Sequence, residues 1–192
     1  FLGGSWPGGD IFLVKYNSSG TKQWTKQLGT SSGDNATGVT TDSSGNVYLA
    51  GYTEGGLDGN TSAGDADLFV VKYNSSGTKQ WTKQLGTSSP DYANGVATDS
   101  SANVYVTGGT EGGLDGNTNA GGPDLFVVKY NSSGTKQWTK QLGTSGYDHA
   151  NGVATDSSAN VYVTGKTGGG LDGNTFAGAS DLFVVKYNSS GT

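Results

Sequence analysis

Cysteine, methionine and arginine are all absent from the 192 residues. Without cysteine there is no disulfide, no thiolate nucleophile and no thiolate metal site. With no methionine anywhere, Phe1 is not a translation start, and the chain reads as an internal or processed piece. Without arginine all 11 basic residues are lysines, so the planar fork suited to phosphate and base edges is missing. The formal charge is −5. A basic groove is not on offer, which argues against nucleic acid as a partner. No run approaches the ~18 apolar residues of a membrane span, and no targeting segment is read. Apolar content is only 32%. That alone suits disorder, but the apolar residues fall in short β-branched and aromatic runs bounded by turn residues, the pattern of strands.

What is there is a repeat. The stretch Asp67-Leu-Phe-Val-Val-Lys-Tyr-Asn-Ser-Ser-Gly-Thr-Lys-Gln-Trp81 recurs from Asp124 to Trp138 and, with conservative changes, from Asp10 to Trp24. Its first twelve residues return from Asp181 to Thr192, always 57 residues on. A fixed period of this size marks propellers, solenoids and arrays. Each unit holds four strand-like runs: Asp67–Asn74 and Thr78–Gly86 around a Ser-Ser-Gly turn, then Gly95–Asp99 and Val104–Gly108 around Ser100–Asn103. Thr87–Asn94 and Gly109–Pro123 are read as loops. No run has the 3.6-residue period of an amphipathic helix. Four short antiparallel strands per unit make a propeller blade, and the two-sided apolar Phe-Val-Val-Lys-Tyr run suits a blade packed between two neighbours. A flat β-solenoid, with its shorter repeat, is the lesser reading.

Gly95-Val-Ala-Thr-Asp-Ser-Ser-Ala-Asn-Val-Tyr-Val-Thr-Gly108 and Asp-Leu-Phe-Val-Val-Lys-Tyr resemble the bacterial and archaeal beta-propeller repeat (SBBP) family, related in pattern to NHL-type blades. The resemblance spans the whole chain. It implies that Gly95–Asp99 is the innermost strand A, Val104–Gly108 strand B, Asp67–Asn74 strand C and Thr78–Gly86 the outer strand D. It also implies a protein that is secreted or exposed at the cell surface. In that register the chain holds a partial blade over 1–29, blades over 38–86 and 95–143, and a partial blade over 152–192, with Phe1–Gly9 in a B–C loop. Three and a third blades do not close a ring, since known propellers have at least about four. The expected partners are therefore further blades of the same parent chain or identical copies.

Residues 67–123 and 124–180 differ at eight positions: Ser89/Gly146, Pro90/Tyr147, Tyr92/His149, Gly109/Lys166, Glu111/Gly168, Asn119/Phe176, Gly122/Ala179 and Pro123/Ser180. All are read as lying in or beside the D–A and B–C loops, which share one face of the disc. Two readings stay open, drift in tolerant loops and a varied binding face. On the second, Tyr92, Glu111, Asn119, Tyr147, His149, Lys166 and Phe176 are the candidate ligand contacts, for a glycan or a protein. His149 itself is read as an exposed loop residue.

The B–C loop carries Leu-Asp-Gly-Asn-Thr three times, giving the pairs Asp58/Asn60, Asp115/Asn117 and Asp172/Asn174. Oxygens two residues apart around a glycine suit calcium, and they equally suit a turn in which Asp and Asn bond their own backbone. Asp99 and its equivalents, each heading Asp-Ser-Ser-x-Asn, are read as turn residues, and Trp24, Trp81 and Trp138 as core packing between blades. Asn17, Asn74, Asn131 and Asn188 match a glycosylation sequon but sit in tight hairpins. Identical carboxylates in every blade indicate scaffold rather than one asymmetric active site. The reading is a non-enzymatic, extracellular or cell-surface scaffold for binding or adhesion. The alternatives are a structural protein of a surface layer or filament and, more remotely, a carbohydrate-active enzyme.

Overall fold

The computed structural model describes residues 8–192. Most of the Phe1–Gly9 loop assignment therefore falls outside the described residues. Among the described residues the fold is all-β, with thirteen strands in four antiparallel sheets joined as simple meanders. The first sheet pairs β1 (Ile11–Tyr16) with β2 (Lys22–Leu28). The second runs β3 (Asp34–Thr41), β4 (Val47–Thr53), β5 (Asp67–Tyr73), β6 (Lys79–Leu85). The third repeats it as β7 (Asp91–Thr98), β8 (Val104–Thr110), β9 (Asp124–Tyr130), β10 (Lys136–Leu142). The fourth holds β11 (His149–Thr155), β12 (Val161–Thr167), β13 (Asp181–Tyr187). These are propeller blades of strands A to D.

Strand A starts earlier than its apolar run implies. It begins at Asp34 and Asp91, four residues before Gly38 and Gly95, and at His149, three before Gly152, because the chain is paired through a bulge. The bulge brings the carbonyls of Asn35, Tyr92 and His149 against Gly51, Gly108 and Gly165, where a Cβ would overlap them. Glycine at that point of strand B is thus a steric requirement, and it is the signal in the sequence that a bulge lies opposite.

Strand alternation gives each blade two apolar faces. Leu68 and Val70 of β5 pack onto Ala93, Val106, Phe126 and Val128 of the following blade. Phe69, Val71 and Tyr73, on the other side, meet Ile11, Leu13 and Leu28 of the preceding one. Tyr105, Leu125 and Val127 pack in turn with Ala150, Val163 and Phe183. There is one core per blade junction. Burying such a side chain contributes about 1.5–3 kcal/mol, so the stack rather than the single blade is the stable unit. The A strands abut, with Thr37 Oγ1 donating to the Ala93 carbonyl (2.6 Å), Thr98 Oγ1 to Thr41 (3.0 Å) and Thr155 Oγ1 to Thr98 (2.9 Å).

At the rim each blade grips the next. Lys15 Nζ and Trp24 Nε1 donate to the Ser75 carbonyl in the C–D hairpin of the following blade, at 2.8 and 3.3 Å. Lys72 and Trp81 hold Ser132 in the same way, and Lys129 and Trp138 hold Ser189. The tryptophan ring lies on Gly77, Gly134 or Gly191, each with φ near +80°. Glycine is needed there twice over, for the left-handed backbone and for the close approach of the ring. Asn74 Oδ1 accepts the Ser76 and Thr78 amides and so closes the hairpin from within. Asn17, Asn131 and Asn188 do likewise.

Candidate functional site

Strands A and B of successive blades set the D–A and B–C ends side by side, and there the repeats diverge. Two of the varying positions lie in strands, not loops, and they are cross-strand partners. Asn35 faces Tyr52, Tyr92 faces Gly109 and His149 faces Lys166. His149 therefore opens β11 and is half-buried, contrary to the exposed loop position expected of it. The space it uses is supplied by Gly109 of the preceding blade, where any Cβ would collide with the imidazole.

Across the junction between the second and third sheets, Tyr52 and Tyr92 meet edge to face at 4.8 Å. Asn35 Nδ2 donates to the Tyr52 hydroxyl at 3.0 Å. Burial raises the Tyr92 hydroxyl, helped by the neighbouring Tyr52 and by the charges of Glu111, Glu54 and Asp65. This junction is aromatic and acidic.

At the next junction the chemistry changes. Tyr147 stacks on His149 with centroids 5.4 Å apart, and Lys166 Nζ lies 5.0 Å over the Tyr147 ring. His149 Nε2 contacts the Asn94 amide, whose Nδ2 also donates to the Ala150 carbonyl at 2.9 Å. Burial, and after it the Lys166 charge, holds the imidazole below its ordinary range, so it is neutral at pH 7. Tyr147 is 47% exposed on top of this stack. The structure thus joins Tyr147, His149 and Lys166 into one cluster and adds Asn94, which does not differ between the second and third copies and so escaped the comparison. Glu111 is exposed between the two junctions, close enough for its charge to act on both Tyr92 and Tyr147. Asn119 is spent on its own loop, donating to the Gly122 carbonyl and accepting the Gly121 amide. Phe176 is exposed in the last B–C loop.

The Leu-Asp-Gly segments form single 3-10 turns with Asp58, Asp115 and Asp172 at positive φ. Two of the three aspartates are not free for a cation. The Asp58 carboxylate is ion-paired with Lys79 and accepts the Thr82 hydroxyl, and Asp115 is ion-paired with Lys136. Asn60, Asn117 and Asn174 each turn the amide nitrogen to the leucine carbonyl three residues back. Each carboxylate thus already has a lysine or a hydroxyl where calcium would need an oxygen ligand, except Asp172. Among the described residues no three acidic or histidine side chains converge on a metal-sized space. The Asp58/Asn60 and Asp115/Asn117 pairs do not fit calcium as they stand.

The remaining carboxylates brace the scaffold. Asp91, fully buried, accepts the Thr87 amide and hydroxyl and the Thr110 hydroxyl. Asp99 accepts the Ser101 and Asn103 amides, the Asn103 side chain and the Tyr105 hydroxyl. Burial pushes the Asp99 carboxyl up, but these donors outweigh it and leave it below its ordinary value.

Two proteins are similar to most of this chain. A WD repeat-containing protein of Acanthamoeba polyphaga mimivirus is 27% identical over 218 residues, covering 88% of this chain and 16% of that protein. The regulatory protein FlaEY of Caulobacter vibrioides is 30% identical over 168 residues, covering 79% of this chain and 18% of its own length. The chain spans under a fifth of either relative. The family profile described as Beta-propeller repeat matches residues 23–58, 80–115 and 137–172, each running from strand D through the next Leu-Asp turn. With more than half of its residues inside those matches, the chain belongs to the beta-propeller repeat (SBBP) family.

Proposed function

We propose that the chain is a non-enzymatic binding scaffold, secreted or held at the cell surface, whose ligand sits on the D–A and B–C face. One observation carries this reading: residues that differ between otherwise matching repeats are gathered at successive blade junctions into patches of different chemistry. Tyr52, Tyr92, Glu54 and Glu111 make an acidic aromatic patch, and Tyr147, neutral His149 and Lys166 an aromatic one carrying a single cation. A scaffold of fixed blades with a varied face suits recognition of a glycan or a protein. The description of one relative as a regulatory protein accords with binding rather than turnover. Glycan and protein arrays probed with the chain test it. Binding that falls at least tenfold in Tyr147→Ala and Lys166→Gln supports the loop face, and binding unchanged in both removes it.

The ends of the stack favour a second, structural reading. Leu182 and Val184 of β13 are 83% and 66% exposed, and Phe12 and Tyr16 of β1 are 73% and 58% exposed, although their counterparts Leu68, Val70, Phe69 and Tyr73 are core residues. Beside β13 lies a hollow of about 480 Å³ lined by Asp172, Asp181 and Lys186. In the complete blades the outer strand fills that place, with Lys79 on Asp58 and Gln84 on Asp67. Further blades, from a longer parent chain or from identical copies, would cover both faces. Continued addition of units would build a layer or filament, which electron microscopy of native material would reveal.

A further inference from the structure

The lysines are not spread evenly over the fold. Ten of the eleven lie on strands C and D, six of them on the outer strands β2, β6 and β10, which contain no acidic residue. At the rim, two clefts of the same composition open between blades. One, of about 360 Å³, is lined by Lys26 of β2 and by Tyr73, Gly77, Thr78 and Lys79 of the next blade. The other, of about 380 Å³, has Lys83, Tyr130, Gly134, Thr135 and Lys136 in the same places, each 57 residues on.

Charge in these clefts is unbalanced. Lys79 is paired with Asp58 and Lys136 with Asp115. Lys26 and Lys83 have no carboxylate partner among the described residues, and their stems are laid against Gly77 and Gly134 beside the tryptophan. Lys15 and Lys72, on the same hairpins, donate to a carbonyl and lie over the Trp24 and Tyr48 rings, again with no carboxylate partner among the described residues. Each cleft is therefore lined by two lysines, of which one is neutralised by an aspartate and one is not. The tyrosines add a second feature. Tyr73 and Tyr130 are only 4% and 3% exposed, line the clefts, and have no hydrogen-bond partner for the hydroxyl among the described residues. Burial, with the charge of Asp58 or Asp115 behind it, raises both hydroxyls, so each stays a donor.

We propose that these rim clefts are a repeated binding site for a carboxylated polysaccharide, one acidic sugar per cleft. Lys26 or Lys83 pairs with the carboxylate, and the Tyr73 or Tyr130 hydroxyl donates to the same sugar. A pit of this volume lined with hydroxyls around one unpaired cation suits a single charged sugar better than an extended acidic peptide. The absence of arginine, and of a free aromatic face in the cleft, disfavours nucleic acid. Repetition at two successive junctions suits a polymer, since linked sites raise avidity without new contacts.

The site lies apart from the loop face, so the two are separated by variants. Binding of the chain to immobilised polygalacturonate, with neutral dextran and polyphosphate as comparisons, is measured at low and high salt. Lys26→Gln/Lys83→Gln should weaken polygalacturonate binding about tenfold and Tyr73→Phe/Tyr130→Phe about threefold, the scale expected for charged and neutral hydrogen bonds. Tyr147→Ala/Lys166→Gln should leave it unchanged. Thermal melts confirm that each variant is folded, and the tyrosine pair still reports if the lysine pair is not. Equal binding to dextran, equal binding to polyphosphate, or indifference to both rim pairs would overturn the proposal.

Discussion

At the scale of single residues, backbone conformation and burial decide more than residue type. Ala102 and Ala159 hold φ of +59° and +58° in the A–B turn, where the first complete blade has Gly45 at +74°. A left-handed alanine costs about 1–2 kcal/mol, partly offset by the lower entropy of its unfolded state. Ala102→Gly should therefore stabilise the chain by about 0.5–1 kcal/mol in urea titration. Gly77→Ala should do the reverse by about 2 kcal/mol, because its Cβ would lie 2.8 Å from Lys26 Cε and 3.0 Å from the Trp24 ring. His149 gives a pH dependence of definite sign. Its folded-state affinity for a proton is lowered, by burial first and Lys166 second. The unfolded chain then binds the proton more readily, so stability is full above about pH 6.5 and declines as the pH falls below it. His149→Gln should abolish that part of the decline when melting temperatures at pH 8 and pH 5.5 are compared. The lowered carboxyls of Asp42, Asp99 and Asp156, the last held at about 2 chiefly by Asn160, are lost only at lower pH. The Asp91 carboxyl, raised by burial, contributes with the opposite sign and is common to the parent chain and the variant. None of this was legible at His149 from sequence. Asp-His in a stretch rich in Gly and Ser reads as loop, and only Gly109, 40 residues away in the chain, supplies the space that admits the ring.

Elements were legible where side chains alternate and illegible where the backbone departs from alternation. β5, β6, β9 and β10 fall within a residue of the expected runs, since β6 and β10 alternate and β5 and β9 are apolar on both faces, all bounded by turn residues. The start of strand A was missed because its bulge breaks that period at Ala93/Gly95, so Asp91 to Asn94 looked like loop. The glycine opposite, Gly108, was the readable sign. The Leu-Asp-Gly-Asn turn shows the converse limit. Its oxygens suggested a cation, but a lysine 21 residues on already neutralises the carboxylate, a pairing only the fold reveals. Millimolar calcium or a chelator should accordingly leave the melting temperature within 1 °C or so, because an occupied stabilising site would raise it by several degrees.

For the whole molecule, the apolar ends have a measurable effect. Leu182 and Val184 present the face that Leu68 and Val70 bury, while Phe12 and Tyr16 present its complement. Head-to-tail association of the 192-residue chain should follow in sedimentation velocity at tens of micromolar, and Leu182→Lys/Val184→Lys should return it to monomer. The propeller class was legible from the 57-residue period because it follows from that two-sided apolar strand. The grip of tryptophan and lysine on the next hairpin was not, since its partners stand 51 and 60 residues apart. That grip is directional: every blade closes a clasp on its successor and offers its own hairpin to its predecessor. Copying or deleting a 57-residue segment would reproduce the same fastening at the new seam, with no fresh surface to evolve. Gene duplication can thus lengthen or shorten such a protein in whole units, and its recognition chemistry can then change one seam at a time.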